Sequence, residues 1–299
     1  SIEGCCCKGK LHFVMSHIHQ MLWDQKMPLL RLVGSGARAF LNGQTTVDFM
    51  AESPPAFLRG FWLNTAGRVR ALFEARLIDE GAELLVLGGD FDEVMKGFDQ
   101  VIFPSDNVRL DLGSEIRRVQ LLVTKQPDRF SNVQWILPGD SLSGIVQNLN
   151  PSTPLEFARW RMEHGLPIGQ GELDARNNPF ELGLSNLVNF NKGCYLGQET
   201  VAKLLRAGPV RKQLRFWESD SHLSVGQALT SSAPKSIDKK KVGEVIAVMS
   251  NKKNCSSFGL AILRNQAFEC QELYAIDDLS RLIVKIPIGF VDASSENVE

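Results

Sequence analysis

Apolar residues fall along the chain in short runs, broken repeatedly by Gly, Pro, Asn and Asp, and each run carries a period that predicts an element. Leu29-Leu30-Arg31-Leu32-Val33 reads as a strand, and Gly34-Ser35-Gly36 leads into a short helix from Ala37 to Leu41 that Asn42-Gly43 ends. Phe61 to Leu63, Val69 to Ile78 and Glu83 to Leu87 are apolar stretches bounded by Gly, Asn-Thr and Asp-Glu-Gly, which is strand and hairpin punctuation. Between Asp90 and Gln100, Phe91, Val94, Met95 and Phe98 recur at helical spacing; Val108 to Leu112 and Val119 to Val123 again read as strands. Strands alternate with helices, which predicts a mixed α/β unit.

The next stretch, 125–151, is rich in Pro, Gly and Ser around the short apolar segment Val133 to Leu137, and reads as loops. A helix from Leu155 to Met162 follows with strong signals. Thr153 is an N-cap, Pro154 suits the first helical position, Glu156 completes a T-x-x-E capping box, and Gly165 supplies the stop. After Gly208-Pro209 the pattern changes to short strands (Gln213 to Trp217, Ala228 to Thr230, Val242 to Val248, Phe258 to Leu263, Leu282 to Ile286), which predicts a small all-β barrel or sandwich. The division is therefore a tail over 1–20, an α/β region over 21–207 with two parts meeting near 105–125, a barrel over 208–291, and a second tail over 292–299. Leu187-Val188 reads as one more strand, entering a turn.

Composition narrows the class. With 43% hydrophobic and 22% charged residues in 299, the chain can offset its ordering entropy and fold, and its length suits two or three packed units. Lys+Arg 33 against Asp+Glu 34 leaves a net charge of −1, no global field for steering nucleic acid or an anionic membrane. No apolar run reaches the roughly 18 residues that a membrane-spanning helix needs. Neither a nucleic-acid partner nor a membrane is expected, and the chain is expected to be a monomer. Cys5, Cys6 and Cys7 form a run, and Cys194, Cys255 and Cys270 stand singly, which is no disulfide framework and fits a reducing compartment. The expected location is the cytoplasm, with a mitochondrial or plastid matrix as the alternative. No metal site is expected: three adjacent thiols cannot easily close one tetrahedron, and the tail holding them with His12, His17 and His19 has no Cys-x-x-Cys spacing.

One segment concentrates chemistry. Asn189 to Thr200 packs Lys192, Gly193, Cys194, Tyr195, Gly197, Gln198 and Glu199 into a dozen residues, before a helix expected over Glu199 to Leu205. A cysteine just ahead of a helix N-terminus and two residues from a lysine is placed to favour its thiolate. The competing reading makes Cys194 a small buried hydrophobe, the usual fate of a free cysteine. Arg161 and Glu163 stand two apart on the short helix and share no face, so Glu163 is either a surface carboxylate or points inward to a polar ligand. Two basic runs, Lys203 to Arg215 and Lys235 to Lys241, read as solvated faces unless an anion meets them.

Lys192 to Glu199, KGCYLGQE, resembles the K-G-C-[YF]-x-G-Q-E signature of the YgfZ-type proteins, relatives of the glycine-cleavage aminomethyltransferase that include mitochondrial and plastid iron–sulfur assembly factors. Four further segments match in order: Leu41 to Thr46 (LNGQTT), Leu63 to Arg68 (LNTAGR), Arg161 to Gly165 (RMEHG) and Asn178 to Leu184 (NPFELGL). The resemblance spans about residues 28 to 291. It implies a ring of two folate-binding α/β parts and a C-terminal β-barrel (an α+β protein) around a central channel for tetrahydrofolate or a derivative. It further implies Cys194 as a redox or transfer thiol assisted by Lys192. Asn64, Arg161, Glu163, Glu181, Tyr195, Gln198 and Glu199 would lie at the ligand, Glu163 near the pterin. The implied role is support of iron–sulfur proteins or their assembly machinery, with indirect effects on tRNA modification. The alternative is folate-dependent aminomethyl or one-carbon transfer. Against that alternative, the positions where the aminomethyltransferases carry an acidic residue read Ala71 and Leu72, neither of which exchanges a proton.

Overall fold

The computed structural model describes residues 19–251 and 255–292; the Cys5-Cys6-Cys7 run and nearly all of both tails lie outside them. β1 (Gln20–Met27) pairs antiparallel with β7 (Ile116–Val123), which takes β8 (Val133–Ile136) on its other edge, giving a three-stranded sheet. Between β1 and β7 the chain builds a five-stranded sheet in the order β3-β4-β5-β2-β6, from β2 (Leu30–Val33), β3 (Leu58–Leu63), β4 (Val69–Ile78), β5 (Gly81–Gly89) and β6 (Arg109–Leu112). Two helices, α1 (Ala37–Gln44) and α2 (Phe91–Asp99), cover one face of this sheet with Leu41, Val94 and Phe98, which share a core with Leu30, Leu32 and Phe73. The Asp90 side chain caps α2 by accepting from the Glu93 amide.

Two expectations change here. The polar run Asp24-Gln25-Lys26 hides β1 from periodicity, but Asp24 is held across the sheet by Arg117 at 2.6 and 2.9 Å. Helix α1 continues through Asn42 and Gly43, which were expected to end it; Thr45 closes it, its amide and hydroxyl both donating to the Leu41 carbonyl.

Helix α3 (Pro154–Glu163) has the full capping box: Thr153 accepts from the Glu156 amide, Glu156 accepts from the Thr153 amide, and Gly165 follows at φ +69°. Helix α4 (Gln198–Arg206) leads to the closed barrel, in the order β10-β11-β12-β9-β14-β13. Its strands are β9 (Lys212–Ser219), β10 (Ala228–Thr230), β11 (Gly243–Asn251), β12 (Ser256–Arg264), β13 (Glu272–Ala275) and β14 (Arg281–Lys285). Strand β13 has no counterpart among the strands expected from the sequence. The strand expected at Leu187-Val188 is instead a 3-10 turn, Ser185–Leu187, whose Leu187 carbonyl accepts from the Thr46 hydroxyl.

A single core joins the parts. Phe61, Leu72 and Leu85 of the five-stranded sheet, Trp160 and Met162 of α3, and Phe216, Leu260 and Ile262 of the barrel are buried in one cluster. Full burial of each such side chain stabilises by about 1.5–3 kcal/mol. The barrel keeps its own interior of Trp217, Leu229, Ala261 and Leu263.

Candidate functional site

Three of the sequence segments singled out above meet at the Asn189–Gly197 loop. Lys192 reaches from this loop to the end of α1, where its ammonium donates to the carbonyls of Asn42 (2.5 Å), Thr45 (2.7 Å) and Val47 (2.6 Å). An ammonium has three N–H bonds, and all three are taken. Backbone bonds from Asn189 to Thr46 (2.9 Å) and from Leu196 to Gly43 (3.0 Å) fasten the loop on either side of it. Burial pulls the Lys192 pKa from 10.5 down to about 8, with the Asp48 carboxylate opposing. Lys192 was expected to assist the thiol of Cys194; its contacts make it the clamp that shapes the loop.

The other support is the β3–β4 turn. Asn64 Oδ1 accepts from the amides of Ala66 and Arg68, an Asx turn, and Thr200 of α4 donates to the Thr65 carbonyl at 3.3 Å. Gly197, at φ +84°, lets the loop pass this turn: a Cβ there would stand 2.6 Å from the Asn64 carbonyl oxygen. Cys194 sits between the two supports, exposed. That overturns the buried-hydrophobe reading of this cysteine.

The remaining expected residues divide. Tyr195 is buried behind the loop, its phenol pushed up to about 12 by burial, with its ring 5.0 Å from the Lys192 ammonium. Gln198 turns back to accept from the Tyr195 amide at 3.3 Å, and Glu199 is exposed in the first turn of α4. Glu181 pairs with Arg68 at 2.8 Å and accepts from the Asn178 amide, tying the β3–β4 turn to the 178–184 segment. Arg161 and Glu163 separate, as their spacing requires. Arg161 is in a buried bidentate pair with Glu172 at 2.7 and 2.8 Å, and Glu163 pairs with Arg159. Arg161, expected at the ligand, is thus committed to the loop that follows α3.

Arg159 is the residue that sequence reasoning missed. It bridges Glu163 and the barrel's Glu218, which also binds Lys285, and its guanidinium lies 5.1 and 5.0 Å from the Phe216 and Phe258 ring centroids. The i,i+4 spacing of Arg159 and Glu163 was the available signal. Among the described residues, hydrogen bonds reach only Oε1 of Glu163, so the other oxygen of this half-buried carboxylate is left to accept from a ligand. An oxygen of this kind suits a ligand that presents N–H or O–H groups.

Ala71 and Leu72 are buried in the sheet, and the nearby acid, Glu74, is enclosed. Arg118 holds Glu74 at 2.8 and 3.0 Å, and Arg59 (2.7 Å) and the Trp135 indole (2.8 Å) complete its shell. Burial alone would raise its pKa; the paired Arg118, then Arg59 and Trp135, overcome this and hold it below the ordinary carboxylate range. A cleft of about 740 Å³ lies elsewhere, lined by Arg31, Ser35, Asp79, Glu80 and Arg109, and contains none of these residues.

No protein-family model matches the chain. The bacterial tRNA-modifying protein YgfZ of Aliivibrio fischeri is 22% identical over 243 residues, covering 68% of this chain and 73% of its own. The chain is thus similar in sequence to YgfZ proteins over about two thirds of its length. A chloroplastic protein of Arabidopsis thaliana is 28% identical over 48% of the chain, which spans only 32% of that relative's length. The mitochondrial iron-sulfur cluster assembly factor IBA57 homolog of Coccidioides immitis is 31% identical over 35% of the chain and 25% of its own. For the fold, the crystal structure of the glycine cleavage system aminomethyltransferase T from Bartonella henselae aligns with a TM-score of 0.63 over 92% of this chain and 88% of the other, at 14% identity.

Proposed function

We propose that this protein is of the YgfZ type, binds tetrahydrofolate or a derivative and supports the assembly or repair of iron–sulfur proteins, using Cys194 as its reactive thiol. The observation that carries the reading is the exposed Cys194 on a loop fixed at both ends, by the Lys192 clamp and the Gly197–Asn64 contact. Such a mount costs conformational freedom and gains nothing for a spectator side chain. The tRNA-modifying YgfZ and iron-sulfur cluster assembly factor IBA57 relatives support the iron–sulfur and tRNA-linked role.

For the ligand, Glu163 is the residue with an oxygen to offer, and Arg159, stacked on Phe216 and Phe258, would hold that carboxylate in place. Arg161 and Glu181 act indirectly, by holding the loops around it. One-carbon transfer is the weaker reading, since Ala71 and Leu72 offer no proton and Glu74 is sealed among arginines. The chloroplastic and mitochondrial relatives favour an organellar matrix over the cytoplasm.

Anaerobic calorimetric titration with tetrahydrofolate tests the ligand. Saturable binding that weakens in Glu163→Gln is expected. Normal folding with no heat of binding would sink the folate part and leave a folate-independent scaffold.

A further inference from the structure

The two basic runs are separate in sequence, and the barrel brings them, together with Arg264, to one rim. Lys212 at the start of β9 is the direct register partner of Arg264 at the end of β12, so two cations stand side by side on one face of the ladder. The Asn265 amide donates to the Arg211 carbonyl at 3.0 Å, which holds Arg211 beside them. On the other edge of β12, the Arg264 amide donates to the Val242 carbonyl at 2.7 Å, where the Lys235–Lys241 loop enters β11. Lys240 and Lys241 have Asp238 and Glu244 as partners; among the described residues no ion pair is formed by Arg211, Lys212, Arg264, Lys235 or Lys239. Like charges directly opposed on a ladder are destabilising, and an anion bound across them removes that cost.

The same rim carries one apolar feature. Ile237 is 103% exposed at the tip of the loop. The loop is closed beneath it, because the Asp238 carbonyl accepts from the hydroxyls of both Ser232 (3.0 Å) and Ser236 (3.2 Å). Ile237 is thus held out into solvent between lysines.

We propose that this rim is a docking surface for an acidic segment of a partner protein, whose carboxylates meet Arg211, Lys212, Arg264, Lys235 and Lys239 and whose apolar side chain meets Ile237. Five unpaired cations on a chain of net charge −1 are a local field complementary to acid. The apolar tip favours a protein over an RNA, which would be met by aromatic stacking faces. A single isoleucine is too little for a bilayer, where anchoring takes two signals. Helix α4, about 14 Å long at 1.5 Å per residue, and the 207–211 segment after it join the Cys194 loop to this rim. The proposal rests on the charge pattern and is independent of the folate reading.

The test is fluorescence anisotropy with a labelled acidic peptide of alternating Glu and Asp around two leucines, against the same peptide without leucine, a single-stranded RNA and phosphatidylserine vesicles. Tightest binding to the leucine-containing peptide is expected, weakening with added salt. Reversal by Arg211→Glu/Lys212→Glu/Arg264→Glu is expected to weaken it by about tenfold or more. Because that variant alters a strand ladder, Lys235→Glu/Lys239→Glu on the loop provides a second reversal, with Lys26→Glu/Lys96→Glu as a control expected to have no effect. Ile237→Ser should weaken the leucine peptide alone. Tighter binding of RNA or vesicles, or peptide binding indifferent to both rim reversals, overturns the proposal.

Discussion

The Lys192 ammonium lies 2.5 Å from the carbonyl oxygen of Asn42, 150 residues earlier in the chain. Replacing Lys192 with Met keeps the length of the side chain and leaves the carbonyls of Asn42, Thr45 and Val47 without their donor. The expected cost is roughly 2–4 kcal/mol, since unsatisfied buried groups cost about 1–3 kcal/mol each and some relax to water. Urea unfolding of the variant measures it; an unchanged midpoint would show that the clamp is not what holds the loop.

The same lysine sets a pH signature. Its folded pKa of about 8 lies below the ordinary 10.5, so between those values the unfolded chain holds more protons than the native one. Stability contributed by this group therefore rises with pH from about 8 to about 10.5. The slope should be present in the parent and missing in Lys192→Met. If the three carbonyls keep the ammonium protonated throughout, the two curves will run parallel.

Gly197→Ala places a methyl group 2.6 Å from the Asn64 carbonyl on a residue at φ +84°. A loss of about 1–3 kcal/mol is expected from strain of this kind. Gly193, whose added Cβ meets nothing within 4 Å, is the matched control, and Gly193→Ala should unfold at nearly the parental temperature. Equal effects at both positions would contradict the packing described for the β3–β4 turn.

Glu74→Gln removes the charge that compensates Arg118 and Arg59 inside the protein, at an expected cost of about 3–5 kcal/mol. The acid limb follows from the same group. Its folded pKa is depressed, so its stabilisation is complete above the ordinary 4.5 and is lost as pH falls through the lower folded value. Acid unfolding followed by tryptophan fluorescence reports this through Trp135, whose indole donates to Glu74 at 2.8 Å. An acid midpoint unchanged in Glu74→Gln would assign acid unfolding to other carboxylates.

Cys194→Ser should unfold within about 0.5 kcal/mol of the parent, as exposed substitutions do. Under the proposed function it should nevertheless fail to restore iron–sulfur enzyme activity in cells lacking this protein. Full restoration by the folded variant would remove the thiol from the mechanism.

What could be read from the sequence was what depends on neighbours in sequence. The capping box of Thr153 and Glu156, the helical spacing of Phe91, Val94 and Phe98, and most barrel strands are local patterns and stand where they were expected. What escaped depends on partners elsewhere. β1 is legible only with Arg117 reaching Asp24 diagonally across the sheet, and Lys192 looks like an aid to its neighbour Cys194 until its distant carbonyl partners are seen. Glu163 was singled out and Arg159 was not: their i,i+4 spacing marks the pair, but the bridge from Arg159 to Glu218, 59 residues further on, leaves no trace in helix spacing.

The core shared by α3, the sheet and the barrel has a consequence for how the chain can be divided. Along β9 and β12, Trp217, Ala261 and Leu263 point into the barrel, while Phe216, Leu260 and Ile262 point out of it into the common core. Cut at the linker near Gly208, the barrel would carry a sticky apolar flank and the remainder a matching open wound. The three parts should therefore melt in one calorimetric transition, and exchange of the barrel between relatives should succeed only when α3 travels with it.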